Sequence, residues 1–424
     1  MKTQLQQLIL KTALFNFFVV ACVGLVLRYM QAYGISFINY KYLLHAHSHY
    51  AMGGWMFTAL FAAVVSVFKV VNENNVKTYR NIFFLSQAGI AGMLLSFPFQ
   101  GYGLWSIALS QVYVLATYWF AYRIWRDLRW KLTSVRYLKT ALFFLVFSSL
   151  GPYAVGPMMV NHLAGSSWYY NAIYFYLHFQ YNGWMVFAVF ALVFKYLEEK
   201  RVIINHRNAY TGWWLMAAAC VLTYFLSVLW SKLGLVFNVL GGAGALLQIA
   251  ALYFTVKALL PYRPLWKSGS STLVRILTVS AVAAFGVKTI LQLLSSLPAI
   301  ADAAYRYPNF IIAYLHLVFI GFMSFFLFAF FMKKEIMSAN RIASVGMLLL
   351  FTGFVVTELL LVLQALTAWL GLAPIPSFSY YLFYFSVCMP AGLLLLVSNR
   401  LNFSLSDSVI TKTTHYETAQ HQLP

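Results

Sequence analysis

The sequence contains little charge. Only 9% of its 424 residues are Asp, Glu, Lys or Arg, whereas 62% are hydrophobic. A soluble protein of this length would expose more charge, so the composition excludes a soluble globular fold. Apolar runs of about twenty residues recur instead, which is the length that a helix needs to cross a bilayer. The composition therefore predicts an all-α polytopic membrane protein whose first partner is the lipid bilayer.

Cysteine is also scarce. Cys22, Cys220 and Cys388 fall in three different apolar segments, and no C-x-x-C-H sequence occurs. This excludes a covalently attached c-type haem and a paired-cysteine metal motif. The formal charge of +20 is of a size that nucleic-acid-binding proteins carry, but the basic residues are scattered through short loops. Membrane topology explains them better, so we expect no nucleic-acid partner.

Apolar segments and basic loops together predict twelve transmembrane helices, of which the first is an uncleaved span. With a cytoplasmic N-terminus, all but five of the 29 Lys and Arg residues lie on the cytoplasmic side, as the positive-inside rule requires. We therefore expect cytoplasmic N- and C-termini, one twelve-helix domain at residues 1–399, a polar cytoplasmic tail at 400–424, and a place in the inner (cytoplasmic) membrane. The predicted spans, numbered 1 to 12, cover residues 10–31, 43–71, 80–98, 102–124, 138–160, 167–196, 211–231, 234–258, 272–297, 308–332, 342–368 and 378–399.

A short pattern, H-x4-G-[W/F]-M, occurs three times in these apolar segments. Its copies begin at His49, His178 and His316, and each lies in the outer half of a predicted span. These are spans 2, 6 and 10, the second helix in each set of four. We therefore expect three four-helix repeats, each of which offers one histidine to the bundle interior. For any single copy, the alternative is a histidine that bonds a neighbouring helix.

Histidines on facing helices are candidate haem ligands, because neutral imidazole is the usual protein ligand of haem iron and also suits copper. A low-spin haem needs two axial histidines on opposite sides of the ring. We expect these to be His49 and His316, with His178 binding a second metal or the haem itself. Gly54 and Gly321, each five residues after one of the two ligands, either leave room for a flat macrocycle or allow close helix packing.

A second candidate metal site lies at the outer ends of spans 2 and 5. His45 and His47 stand at the mouth of span 2, and either is an alternative haem ligand. Near the end of span 5, Met158, Met159 and His162 add thioethers and an imidazole, which suit copper(I). Copper is therefore a candidate cofactor. The alternative is a set of interfacial polar residues and lipid-facing methionines.

Two ionisable side chains, Lys288 in span 9 and Glu358 in span 11, are the only Lys and Glu well inside predicted spans. Charges at such positions are expensive and are usually paired or functional. The simplest hypothesis is an intramembrane pair between Lys288 and Glu358. A proton-relay role for Glu358 is the second hypothesis.

The chain resembles subunit I of the haem–copper oxidase superfamily, which includes the cbb3-type oxidases and the nitric oxide reductases, over essentially all twelve spans. The segment 178–183 (HFQYNG) resembles the helix 6 motif of nitric oxide reductases, and 45–54 resembles the opening of the NnrS type of haem- and copper-containing membrane proteins. The resemblance implies three four-helix arcs, a low-spin haem at His49 and His316, and a copper ligand at His178. The resemblance fails at Tyr314, which stands where the high-spin haem ligand would be. Residues 211–230 lack the two further copper ligands, and residues 367–380 lack the expected arginine pair.

The expected function follows from these residues and this resemblance. We expect a haem-binding integral membrane protein, with a b-type haem, that acts in electron transfer or in nitric oxide or oxygen handling without a complete haem–copper centre. An oxidoreductase activity would then depend on other respiratory subunits or a cytochrome electron donor. The alternative is a metal or small-solute transporter that uses the intramembrane histidines, although transporter repeats usually contain broken helices.

Overall fold

A computed structural model describes residues 2–399 of the chain. Within this range, twelve helices are long and apolar enough to cross a membrane, which confirms the predicted number. The predicted tail at 400–424 lies outside the described residues. In chain order, spans 1 to 12 are Lys2–Tyr33, Tyr40–Val67, Val76–Gln100, Leu104–Asp127, Thr133–Val160, Ser167–Glu199, His206–Ser231, Leu235–Lys267, Thr272–Leu294, Pro308–Lys333, Arg341–Trp369 and Phe378–Val397.

Several spans begin at a polar residue that hydropathy alone does not mark. A side-chain oxygen just before the helix accepts a hydrogen bond from a backbone N–H of the first turn, which would otherwise have no partner. Helices therefore continue beyond the apolar run, and His206 rather than residue 211 begins span 7. The capping residues for spans 2, 6, 7, 9 and 11 are Asn39, Ser166, Asn205, Ser271 and Asn340.

Contacts between distant helix ends gather the basic loops on one face of the bundle. The hydroxyl of Tyr79 donates to Asp127 over 2.9 Å, and the backbone N–H of Ser134 donates to Glu198 over 3.0 Å. On the same face, Lys334 pairs with Glu199. Consecutive spans therefore alternate in direction, and we call this end of the bundle the basic face.

Spans 2 and 6 form the centre of the bundle. In their most apolar stretches, 89% and 83% of the residues are buried, against 50% in span 10 and less in the other spans. The indole rings of Trp55 and Trp184 are completely enclosed there. A helix that is buried all round offers its polar groups only to other helices. The histidines of spans 2 and 6 are therefore constrained mainly by their protein neighbours.

Candidate functional site

Each copy of the histidine pattern coincides with a π-helical segment. These segments are Ala51–Phe57, Phe179–Met185 and Leu317–Ser324, and the described helices contain π-helical turns at these three places. A π-helix pairs each N–H with the carbonyl five residues earlier, is rare, and is frequently found at functional sites. The repeated sequence pattern thus marks the same backbone distortion in spans 2, 6 and 10.

Side chains satisfy carbonyl groups within two of these segments. Thr58 donates to the carbonyl of Gly53 over 3.0 Å, and Ser324 donates to that of Phe319 over 2.7 Å, so both hydroxyls reach five residues back. Asn16 of span 1 donates to the carbonyl of Gly54 over 2.9 Å. Because hydrocarbon offers no hydrogen-bond partners, such bonds are needed wherever a helix within the membrane is irregular.

One hydrogen bond joins the first copy of the pattern to the third. The indole N–H of Trp55 donates to the hydroxyl of Ser324 over 2.8 Å, and both side chains are buried. On its other side, Trp55 stacks on Phe17, with 4.4 Å between the ring centroids. This hydrogen bond therefore joins spans 2 and 10 on the C-terminal side of their histidines.

The glycines of the pattern allow close packing rather than leaving an open space. A Cβ added to Gly321 would lie 2.8 Å from Cζ of Phe354, and one added to Gly183 would lie 2.5 Å from Cβ of Phe144. At Gly54 the nearest atoms, 3.3 Å away, belong to the ring of Tyr50. Of the two explanations for Gly54 and Gly321, the structure therefore favours helix packing, because neighbouring rings already fill the space beside them.

His316 is held by a carboxylate. Its Nδ1 atom lies 3.0 Å from Oε1 of Glu358, and the two side chains are 27% and 13% exposed. Because a carboxylate can only accept, this contact places a proton on Nδ1 and leaves the lone pair of Nε2 for another partner. The sequence had identified both residues but had not predicted their pairing.

His47, and not His49, is the span 2 histidine that lies near His316. Its ring interacts electrostatically with His316 and with Arg28 and is hydrogen-bonded to the backbone of Val20, while its Nδ1 atom is buried with no hydrogen-bond partner among the described residues. The ring rests against Gly24 of span 1, where an added Cβ would lie 3.0 Å from its Cε1 atom. Arg28 is also an electrostatic neighbour of Glu358. These four ionisable groups form one cluster, which we call the His47–His316 site.

His49 points to a different part of the bundle. Its Nε2 atom lies 3.0 Å from the hydroxyl of Tyr102, and its ring stacks on Phe97 with 4.6 Å between centroids. His45 packs on the same side, 4.8 Å from the ring of Tyr102. Residues two apart on a helix differ by about 200° in direction, so His47 and His49 cannot share a face. The predicted pair of His49 with His316 is therefore not brought together.

His178 has a partner for each ring nitrogen. Its Nε2 atom donates to the backbone carbonyl of Cys220 over 2.8 Å, while Nδ1 lies 3.2 Å from Nδ2 of Asn182 and 3.3 Å from Oγ of Ser227. The side chain is 1% exposed. With Nδ1 and Nε2 both occupied, His178 has no nitrogen directed at a metal in this arrangement, and it fastens span 6 to span 7.

The structure does not join Lys288 to Glu358. Glu358 contacts His316, whereas the electrostatic neighbours of Lys288 are Cys220 and His178. The two charged residues lie on spans 9 and 11, and His316 on span 10 takes the carboxylate. The hypothesis of an intramembrane Lys–Glu pair is therefore replaced by a His–Glu pair and a separate buried lysine.

The proposed copper ligands are not assembled either. His162 is an exposed loop residue with a φ angle of +58°, and Met159 is exposed as well. Over residues 2–399, no group of three or more His, Cys, Asp or Glu side chains is arranged to hold a metal ion. His45, His47 and His162 thus do not meet at one place, because His45 and His47 face different sides of span 2.

One residue of the His47–His316 site, Arg28, and the adjacent Gly24 had no place in the sequence-based prediction. Arg28 was counted only as an outer positive charge, and Gly24 was not considered. A usable signal was present for Arg28, since it is an arginine inside the long apolar helix Lys2–Tyr33. No protein-family model matches the chain. A comparison with the curated proteins also finds no match.

Proposed function

We propose that the chain is a haem-binding integral membrane protein in which His47 and His316 would hold the haem iron. The observation that carries this proposal is that each of the two imidazole rings has a nitrogen without a hydrogen-bond partner among the described residues. The Glu358 contact orients His316 and leaves its Nε2 free, while the Nδ1 atom of His47 nearby is buried with no hydrogen-bond partner within residues 2–399. Two imidazoles from different helices are the ligand set of a low-spin haem.

The residues present fit a haem in two further respects. Histidines that bind metals almost always donate their other N–H to a carboxylate or carbonyl, which fixes the ring and raises its basicity, as Glu358 does here. Arg28 is the cation next to both His47 and Glu358, and arginine is well suited to pair with carboxylates such as the propionates of haem. A buried nitrogen without a hydrogen bond is costly, and coordination would remove that cost at His47.

The chemistry that a haem supplies in such a site is the uptake and release of one electron. The protein's own contribution is rigidity: the Trp55–Ser324 bond holds spans 2 and 10 together, and Glu358 fixes the direction of the His316 ring. We propose a b-type haem and a role in electron transfer or in nitric oxide or oxygen handling. This would involve other respiratory subunits or a cytochrome donor, and copper would need ligands beyond the histidines discussed above.

The topology completes the proposal. We propose that the basic face is cytoplasmic, so that both termini are inside and the His47–His316 site lies in the outer half of the inner membrane. The three π-helical segments in spans 2, 6 and 10 support three four-helix repeats. Histidines on spans 2 and 10 also match the positions that the resemblance to subunit I implies for a low-spin haem pair.

A visible absorption spectrum of the detergent-purified protein, oxidised and then reduced with dithionite, tests the proposal. We expect sharp reduced bands and, by pyridine haemochrome assay, one haem per chain. His47→Ala and His316→Ala should lose the haem. The matched control is His49→Ala, since it removes a histidine only two residues from His47 and should leave the spectrum unchanged.

Two outcomes would count against this proposal. The first is a featureless spectrum from protein made with ample haem, and the second is loss of haem in His49→Ala but not in His47→Ala. A featureless spectrum would favour the second candidate function, a metal or small-solute transporter. That candidate is supported by the buried side-chain oxygens of Asn182 on span 6 and Gln292 on span 9, which have no hydrogen-bond partner among the described residues. Metal-dependent uptake into vesicles that contain the purified protein would establish it.

A further inference from the structure

A cleft of about 550 Å³ opens on the basic face, at the ends of spans 2, 3 and 4. Its charged lining residues are Lys69, shortly after span 2, and Arg123, Arg126 and Asp127 in the last turns of span 4. Ligand sites in proteins typically measure about 300–1,000 Å³, so this cleft can hold a small molecule or a lipid headgroup. We call it the basic cleft.

A single carboxylate serves both arginines of the basic cleft. Nη2 of Arg123 lies 3.3 Å from Oδ2 of Asp127, and Nε of Arg126 lies 3.8 Å from its Oδ1. Lys69 takes part in none of the ion pairs found in residues 2–399. Three basic side chains and one acidic side chain line the cleft, which gives it a net charge of +2. This surplus of positive charge favours an anionic ligand.

Arg123 is held in a fixed position. Its side chain is 14% exposed, and it hydrogen-bonds the hydroxyl of Tyr79 as well as Asp127. A guanidinium has five N–H groups, and these two partners engage only part of them. Its Nε atom is buried with no hydrogen-bond partner among the described residues. A buried donor of this kind, on a side chain that lines a cleft, indicates that water or a ligand binds there.

Arg126 is held only loosely. Its side chain is 56% exposed, and its one ion pair spans 3.8 Å. Its guanidinium carbon lies 5.7 Å from the centroid of the Tyr122 ring, one helical turn earlier. Exposed ion pairs of such length contribute little to stability. Arg126 can therefore turn towards an anion in the basic cleft at little cost.

The loop between spans 2 and 3 forms a rigid wall of the basic cleft. Oδ1 of Asn75 accepts from the backbone N–H of Asn72 over 2.7 Å, and Oδ1 of Asn72 accepts from those of Asn74 and Asn75 over 2.9 and 3.1 Å. Nδ2 of Asn75 donates to the carbonyl of Val70 over 2.8 Å. Because these bonds fix the loop without a ligand, binding does not have to order this wall.

We propose that the basic cleft binds one phosphate group, with Arg123, Arg126 and Lys69 as its partners. Arginine suits phosphate because its planar guanidinium can donate two parallel hydrogen bonds. A phosphomonoester carries a charge of about −1.5 to −2 at pH 7, which matches the surplus of the cleft.

The position of the basic cleft gives the phosphate two possible sources. The cleft lies at the ends of membrane-spanning helices, where both lipid headgroups and dissolved molecules reach the protein. The phosphate therefore belongs either to an anionic lipid headgroup or to a small phosphorylated solute. The basic cleft shares no residue with the His47–His316 site, so this proposal does not depend on haem binding.

Two probes with the same phosphomonoester distinguish the sources: sn-glycerol 3-phosphate and dioleoyl phosphatidic acid. Each is titrated into the full chain in a non-ionic detergent and followed by calorimetry, and native mass spectrometry counts the retained lipid. We expect saturation at one molecule per chain. Binding of the soluble probe with displacement of the lipid identifies a solute site, and binding of the lipid alone identifies a headgroup site. Dioleoylglycerol, which lacks the phosphate, should not be retained.

Two substitutions and a matched control test the residues. Arg126→Gln should raise the dissociation constant of the bound probe by about tenfold, the effect of one lost hydrogen bond to a charged group, and Lys69→Gln should raise it as well. Both side chains are exposed, so the fold should persist. Arg129→Gln removes the same charge three residues beyond Arg126, at an exposed residue that does not line the cleft, and should have no effect.

Two results would overturn the proposal. The first is the absence of saturable binding for both phosphate probes. The second is an equal loss of affinity in Arg126→Gln and Arg129→Gln, since this would indicate a diffuse attraction of anions to the basic face rather than a site in the cleft.

Discussion

His178 and His316 occupy the same position in the repeated pattern, and both precede a π-helical segment, but their rings are held differently. His178 is enclosed and uses both nitrogens to bind spans 6 and 7. His316 is 27% exposed and gives one nitrogen to Glu358. The pattern therefore indicates a common backbone shape, while the neighbouring helices decide whether the histidine is a packing residue or a candidate ligand.

The sharpest way to test this difference is to remove each ring in haem-free protein. His178→Ala leaves the Cys220 carbonyl with only a long, 3.4 Å hydrogen bond from the Thr223 hydroxyl and opens a cavity beside Asn182 in the interior, so we expect the free energy of unfolding to fall by about 4 kcal/mol. For His316→Ala we expect a loss of about 1 kcal/mol, since that ring is partly exposed. Reversible unfolding in mixed detergent measures both values.

Cys220→Ala serves as the control for this comparison. His178 bonds the backbone carbonyl of residue 220, which alanine retains, so the substitution should have a much smaller effect than His178→Ala. If His178→Ala and His316→Ala destabilised the protein equally, the distinction between a packing histidine and a candidate ligand would be lost.

The three glycines of the pattern give a second, smaller contrast. Alanine at Gly183 would put its Cβ 2.5 Å from Phe144, alanine at Gly321 would put it 2.8 Å from Phe354, and alanine at Gly54 would meet Tyr50 at 3.3 Å. Overpacking of this kind costs about 1–3 kcal/mol. We expect losses in unfolding free energy of about 3, 2 and under 1 kcal/mol in that order, and any other ranking in the same unfolding assay would contradict the packing role.

Glu358→Gln tests whether the carboxylate tunes His316. Glutamine keeps an acceptor for the Nδ1–H group but removes the negative charge. Because outer-shell changes typically weaken metal binding by about 10- to 100-fold, we expect haem affinity to fall by about tenfold and the reduction potential to rise. Haem transfer to an acceptor protein and a redox titration measure the two effects. Unchanged values in both assays would mean that Glu358 acts only as a structural partner.

The smallest expected effect compares the two buried indoles. Trp55 donates to Ser324, whereas the indole nitrogen of Trp184 has no partner among the described residues. Replacing each by phenylalanine removes similar volume, so the difference between the variants isolates the Trp55 hydrogen bond, about 1 kcal/mol. Equal unfolding free energies of Trp55→Phe and Trp184→Phe would show that this bond between spans 2 and 10 contributes nothing.

The repeated pattern shows how far sequence reasoning reached into the site. The pattern singled out His316 and His178, and the rarity of charge inside the spans singled out Glu358. The sequence analysis chose His49 over His47 because His49 carries the pattern, yet His47 is the span 2 histidine that interacts electrostatically with His316. The pattern reports the local backbone, and the direction of a side chain depends on how the whole helix is rotated against its neighbours.

The sequence by itself determined twelve helices, their order and the alternation of their basic ends, because span length and hydropathy are local properties of each segment. Only the tertiary structure decided that Glu358 contacts His316 rather than Lys288, that His178 has both nitrogens occupied, and that Lys288 has no carboxylate partner among the described residues. These pairings depend on the rotation and neighbours of helices far apart in the chain. In an apolar helix, hydrophobic periodicity does not reveal which face is buried, since lipid and protein interior are equally apolar.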